Sequence, residues 1–246
     1  MLTTEVDCTI ARRLLVNYRV NPEMVANLLP APFRPQIVSG WAVGGVCFIA
    51  LESLRPAGTP SALGFSSENV AHRFAVEWDD DDGHHLGVYV PRRDTGSRMI
   101  SLSGGRVFPG RHGLAHFYVN DSGKDLHIEV VSRDHSVRLV VTANQAKAMT
   151  GELFRSIDDA TSFFKMAPVG YSPAQGQQSF DGVRLLSECW DAEPASLSEM
   201  KSSVFDDETL FPRGTCSLDS ALIMRNLSVR WATQGRLRSH SMASAC

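Results

Sequence analysis

A chain of 246 residues, 43% of them apolar, is long enough to bury a sizeable core, which excludes disorder as its main character. Twenty-four Lys and Arg against 27 Asp and Glu give a net charge of -3, and no basic run exceeds two residues, so binding to nucleic acid is not expected. The longest nearly apolar stretch, Val43 to Leu51, is about half of what a bilayer span requires, so no membrane segment is expected.

Glu5 and Asp7 stand where a secretory leader would be basic and then apolar, so a cytoplasmic protein is expected. The five cysteines, Cys8, Cys47, Cys189, Cys216 and Cys246, are widely spread without a C-x-x-C pair, which argues against a disulfide framework and a structural zinc site alike. Only four of the 24 basic residues are lysines, Lys124, Lys147, Lys165 and Lys201, so Schiff-base chemistry has four side-chain candidates.

The opening residues alternate as a strand (Cys8, Ile10, then Leu14, Val16, Tyr18 and Val20) and run into Asn21-Pro22-Glu23. Asn21 can cap a helix and Pro22 suits its first position. Met24, Val25, Leu28 and Leu29 supply its apolar face, and Pro30, Pro32 and Pro35 end it. A strand follows from Trp41 to Glu52, then a Pro/Gly/Ser-rich loop from Leu54 to Ser67 long enough to be suspected of carrying function.

From Glu68 onward the pattern predicts consecutive antiparallel strands: Glu68 to Trp78, Leu86 to Val90, Met99 to Ser103, Leu114 to Val119, Leu126 to Val131 and Ser136 to Thr142. Ala143 to Lys165 reads as a helical region, broken near Thr150-Gly151, with Ile157, Ala160, Phe163 and Phe164 on its apolar side. Strands at Gly182 to Cys189 and Ser217 to Trp231 close the fold. Without a βαβ alternation, these local connections predict an antiparallel sheet or closed barrel. One domain is expected over residues 1–233, with a disordered tail over 234–246.

Asp79-Asp80-Asp81-Asp82-Gly83-His84-His85 contains residue types that ligate cations, but its place between two strands favours a solvated hairpin tip. His112 and His116 have the four-residue spacing of zinc helices without the adjacent Glu, so no metal site is expected. Gly104 to Gly113 packs four glycines with Arg106, Arg111 and His112. It suits either an anion-receiving loop or an ordinary exposed one. No G-x-S-x-G, P-loop or dinucleotide fingerprint is present, so serine-hydrolase and nucleotide-dependent chemistry are not expected, nor is a cofactor.

Leu15 to Pro32, with Tyr18-Arg19 before the short helix and Pro30-Ala31-Pro32 after it, resembles the opening of the acetoacetate decarboxylase superfamily. Gly64-Phe65-Ser66-Ser67-Glu68 resembles the stretch holding a pocket glutamate, and Gly105-Arg106 the Gly-Arg before the catalytic lysine. Ala143 to Lys147 and Phe163 to Pro168 resemble the helix entry and the segment after it. Ser162-Phe163-Phe164, Val169 to Pro173 and Ser217 to Arg225 are more similar to an uncharacterised bacterial branch of that superfamily.

The resemblance spans roughly Thr9 to Trp231. It implies an α+β fold, mostly an antiparallel β-barrel or cone with a few flanking helices, a small-molecule pocket inside, and homo-oligomers. It departs where the chemistry sits: counted without gaps from Arg106, the family's Lys-Lys pair falls on Gly113 and Leu114. The expected function is therefore that of a small-molecule enzyme using imine-free acid/base chemistry, of isomerase, cyclase or lyase type, on a carbonyl-containing organic acid. Its expected site residues are Glu68, Arg106, His112 and His116. The alternative is a non-catalytic binding protein of the same fold, with Glu68 and Arg106 as a structural ion pair.

Overall fold

The computed structural model describes residues 5–103, 110–174, 179–187 and 190–238. Among them thirteen strands form one sheet. They are β1 (Glu5–Val20), β2 (Arg34–Pro35), β3 (Ile37–Val38), β4 (Trp41–Pro56), β5 (Phe65–Asp80), β6 (Gly83–Thr95), β7 (His112–Asp121), β8 (Asp125–Ser132), β9 (Arg138–Gln145), β10 (Val169–Pro173), β11 (Ser179–Leu186), β12 (Glu193–Ser202) and β13 (Cys216–Arg238). The helices are α1 (Pro22–Leu28), α2 (Arg98–Ser103) and α3 (Ile157–Met166). None is long and apolar enough to cross a membrane.

The sheet closes on itself twice. β13, β1, β4, β5, β6, β10 and β11 pair in that order, and β11 returns to β13. On the other side β7, β8, β9 and β12 bridge β6 to β13. All these pairings are antiparallel except β6 with β7 and β6 with β10. The expected mostly antiparallel barrel or cone with few helices is the fold observed.

The shared strands are buried on both faces, which accounts for apolar runs where a half-buried strand would alternate. Leu14, Val16, Phe48 and Val70 pack with Leu126, Ile128 and Val130 in one core, whereas Leu15 and Cys47 pack with Phe154 and Phe164 in another. Each fully buried side chain of this size contributes about 1.5–3 kcal/mol of transfer free energy.

α1 forms as its caps dictate, with the Asn21 side chain accepting from the backbone N–H of Glu23 and Met24 and Pro22 in the first turn. Four expectations are corrected. Met99 to Ser103 is not a strand but part of α2, because Ser97 Oγ accepts from the Ile100 N–H and one turn suffices to bury Ile100 while Met99 and Leu102 stay exposed. Ala143 to Gln145 belongs to β9, where pairing with β12 prevails over helix propensity, and α3 starts only at Ile157 behind the Ser156 cap. The long loop after Leu54 is largely structured, since β4 runs to Pro56, Leu54 pairs with Phe65, and a 3₁₀ turn spans Ser61–Leu63. β13 continues through Arg238, past the expected strand end at Trp231, because β11 offers it Phe180 and Ser179 as partners.

The closed interior also traps two imidazoles. Burial holds His72 down to about 4 and His112 down to about 3, both below the ordinary histidine value. Below about pH 6.5 the unfolded chain binds protons that the folded one does not, so stability falls as pH falls, by up to about 1.4 kcal/mol per pH unit for each group. Urea unfolding between pH 4.5 and 7 is expected to show this slope, and His72→Leu to flatten it by one proton. An unchanged slope in that variant would contradict the assignment.

Candidate functional site

A cavity of about 180 Å³ lies against the face of β1, β4, β5 and β6 that carries Leu15 and Cys47. Pockets for drug-sized molecules start near ~300 Å³, so this one fits a small metabolite. Strand pairing places its wall residues in three adjoining rows. Arg13, Ile49 and Asn69 are cross-strand neighbours. Leu15, Cys47, Ala71, Arg93 and His112 make the next row, and Asn17, Gly45 and Arg73 the third. Phe164, Val183, Leu185, Trp190 and Trp231 supply apolar cover from α3, β11, β13 and the segment between β11 and β12.

The third row depends on glycine. A Cβ at Gly45 would lie 2.4 Å from the Val16 carbonyl oxygen and 3.3 Å from the Arg73 guanidinium. Its absence lets Arg73 reach across β4 and donate to Asn17 Oδ1. Arg73 is 4% exposed, its guanidinium carbon lies 4.6 Å from the centre of the Phe164 ring, and its Nε and Nη1 have no partner among the described residues. Arg93 donates Nε to Ser172 Oγ at 2.9 Å. Arg13 lies over the Trp190 ring at 5.1 Å.

None of these three guanidiniums meets a carboxylate among the described residues. Asp94, the one acid on the wall, is engaged through both oxygens by Arg92 at 2.8 Å. The cavity wall is therefore cationic, and desolvation pushes Arg73 and Arg93 down to about 10. His112 is neutral for the same reason: burial, with the Arg93 charge beside it, outweighs the opposing contribution of the Gly110 backbone.

Of the expected site residues, His112 lines the cavity. Arg106 lies outside the described residues. Glu68 stands on β5 and points to the face opposite Asn69, Ala71 and Arg73, where it accepts from Arg12 at 2.6 Å, and Arg12 also reaches Asp121 at 3.2 Å. That partner stands on β1, within one strand of β4, where sequence distance hides it. His116 is exposed on β7, four residues or about 13 Å of strand beyond His112, and is absent from the cavity wall. At the acidic hairpin, His84 pairs with Asp79 at 2.9 Å and His85 with Asp80 at 2.6 Å around a solvated tip. Among the described residues no cluster of three His, Cys, Asp or Glu has metal-holding geometry.

Arg13, Arg73 and Arg93 escaped the sequence reading, although a signal existed. For Arg73 it is a charge leading into the apolar run Phe74-Ala75-Val76, a residue seldom buried without a partner or a ligand, whereas Arg13 and Arg93 each stand beside another arginine, Arg12 and Arg92, which masks them.

All four lysines are exposed. Gly113, at the place where the decarboxylase lysines would fall, pairs with Asp94, and a Cβ there would lie 2.3 Å from Asp94 Oδ1. No side chain fits while Asp94 holds Arg92. Gly113→Ala is expected to cost about 3 kcal/mol through overpacking and the weakened buried ion pair. In a chain of this size that is a fall of about 6–12 °C in Tm by calorimetry. A Tm within 2 °C of wild type would show that Asp94 moves freely, contrary to this geometry (about half a kcal/mol).

Three solved structures share the architecture. The enduracididine biosynthesis enzyme MppR complexed with pyruvate superposes with a TM-score of 0.62 at 8% identity, over 96% of this chain and 90% of that one. An acetoacetate decarboxylase-like enzyme from Sphingomonas wittichii RW1 gives 0.58 at 14% identity, over 96% and 93%. Acetoacetate decarboxylase from Legionella pneumophila gives 0.57 at 10%, over 95% and 86%. At these identities the likeness establishes the fold, which is acetoacetate decarboxylase-like. No curated protein matches in sequence. The family model for DUF2071, an uncharacterized conserved protein, matches residues 8–217, and the chain belongs to that family.

Proposed function

We propose that this chain is a small-molecule enzyme that binds a carbonyl-containing organic acid in the arginine-lined cavity and turns it over by imine-free acid/base chemistry, of isomerase, cyclase or lyase type. The observation that carries the reading is Arg73, a fully buried cation with two unpartnered nitrogens beside Arg93 and His112. A carboxylate accepting from Arg73 and Arg93 would satisfy those donors and offset one of the two charges. Pyruvate in MppR is a ligand of this chemical class.

The bound anion offsets the field of Arg93, so the proton affinity of His112 rises when substrate enters. His112 then takes a proton from the carbon next to the carbonyl, a guanidinium holds the resulting enolate oxygen, and return of the proton to another atom completes an isomerisation. The carboxylate-clamping role expected of Arg106 is one that Arg73 and Arg93 can fill, and the acid/base role expected of Glu68 and His116 falls to His112. A non-catalytic binding protein is the second reading, favoured by the low proton affinity of His112.

Incubation with a panel of 2-oxo and 3-oxo acids in deuterated water separates the two. Enzyme-dependent wash-in of deuterium next to the carbonyl, followed by proton NMR, supports catalysis. Binding without wash-in supports the second reading. Borohydride added with pyruvate or acetoacetate is expected to leave the protein mass unchanged, because every lysine side chain is outside the cavity. A reduced adduct mapped to any lysine would overturn the imine-free mechanism.

A further inference from the structure

We infer that the cavity takes a substrate with two separated carboxylates, an oxo-dicarboxylic acid, rather than a monocarboxylate; this rests on the cavity being the substrate site. The argument is a count of charge. Arg13, Arg73 and Arg93 bring three positive charges to one small wall, and among the described residues the only acid there, Asp94, is engaged by Arg92. A monoanion would leave two of those charges without compensation at low dielectric, which costs several kcal/mol per ion in a buried site.

Placement distinguishes two ends. Arg73 and Arg13 stand in the outer two of the three rows, four residues or about 13 Å apart along the strand direction and on strands separated by β4. Arg93 stands in the row between them, tied to Ser172. On β1, β4 and β5 the middle row, between Arg73 and Arg13, is apolar, formed by Leu15, Cys47 and Ala71. A short carbon chain fits that middle, with one carboxylate held by Arg73 and Arg93 and the other by Arg13 in front of the Trp190 ring. Each guanidinium offers a planar fork suited to a carboxylate. A phosphate ester would instead concentrate its charge at one end.

Isothermal titration of the full chain with 2-oxoglutarate and with 2-oxopentanoate, which differ only in the second carboxylate, tests this directly. The dicarboxylate is expected to bind at least about tenfold more tightly. Arg13→Met is expected to bring 2-oxoglutarate down to the affinity of 2-oxopentanoate while leaving 2-oxopentanoate unchanged, and Arg73→Met to weaken both. Equal wild-type affinities would overturn the inference while leaving the oxo-acid site in place. Phosphoenolpyruvate binding more tightly than any dicarboxylate tried would replace the second carboxylate by a phosphate. If no oxo acid binds the wild type, the site reading fails together with the inference. The wild-type comparison requires no variant to fold.

Discussion

His112→Gln is expected to abolish deuterium exchange into a bound oxo acid, lowering the rate by about 10²–10⁴, the usual worth of a positioned acid/base group, while changing the ligand's Kd by less than about threefold. His112 sits in the same row as Arg93, so it faces whatever Arg93 holds. Glutamine keeps hydrogen-bonding capacity without a titratable proton. In the free protein the imidazole titrates at about 3, and an anion beside it raises that value. The base must be unprotonated to act, so the rate rises with pH through this titration, and the acid limb of kcat should lie at higher pH than that of kcat/KM. Superimposed limbs, or a His112→Gln protein that still exchanges, would assign the proton transfer to another group.

Arg73→Met should separate binding from folding in opposite directions. Affinity for an oxo acid is expected to fall by about 2–4 kcal/mol, the cost of truncating one partner of a buried charge pair, while unfolding in urea shows a protein at least as stable as wild type. The guanidinium is buried with Nε and Nη1 unpartnered among the described residues, and burial pushes its pKa down to about 10, a sign that the fold disfavours the charge. Methionine removes that desolvation penalty, usually several kcal/mol per ion. Against this stand the lost contact with Phe164 and the hydrogen bond to Asn17, which still bonds Ser220 and is worth about 1–3 kcal/mol. Unchanged affinity would move the anion site away from Arg73. A large loss of stability would make Arg73 a structural residue.

Arg12 and Arg13 show how the fold was legible and the site was not. They are adjacent on one strand, and alternation alone guarantees that they face opposite ways. Arg12 meets Glu68 and Asp121, while Arg13 meets Trp190 and the cavity. Composition cannot say which does which, because Glu68 stands 56 residues from Arg12 and Asp121 stands 109. The same alternation within β5 put Glu68 on the wrong side of the sheet from His112.

What the amino-acid sequence determined by itself was local. The Asn21-Pro22 helix start, the acidic hairpin tip and most strand segments each rest on a few neighbouring residues whose φ preferences or caps act at short range. Those cues also sufficed for the barrel-like class, whereas the imine-free expectation came from the resemblance, which puts Gly113 where the decarboxylase lysines would fall. Only the closed sheet decided that Arg13, Arg73, Arg93 and His112 share one wall, because four strands far apart in the chain must align in register before their inward rows meet. Only that closure leaves the three arginines without carboxylates among the described residues, since burial and partner choice are set by the strands alongside, and on that unbalanced charge the proposed binding of an anion rests.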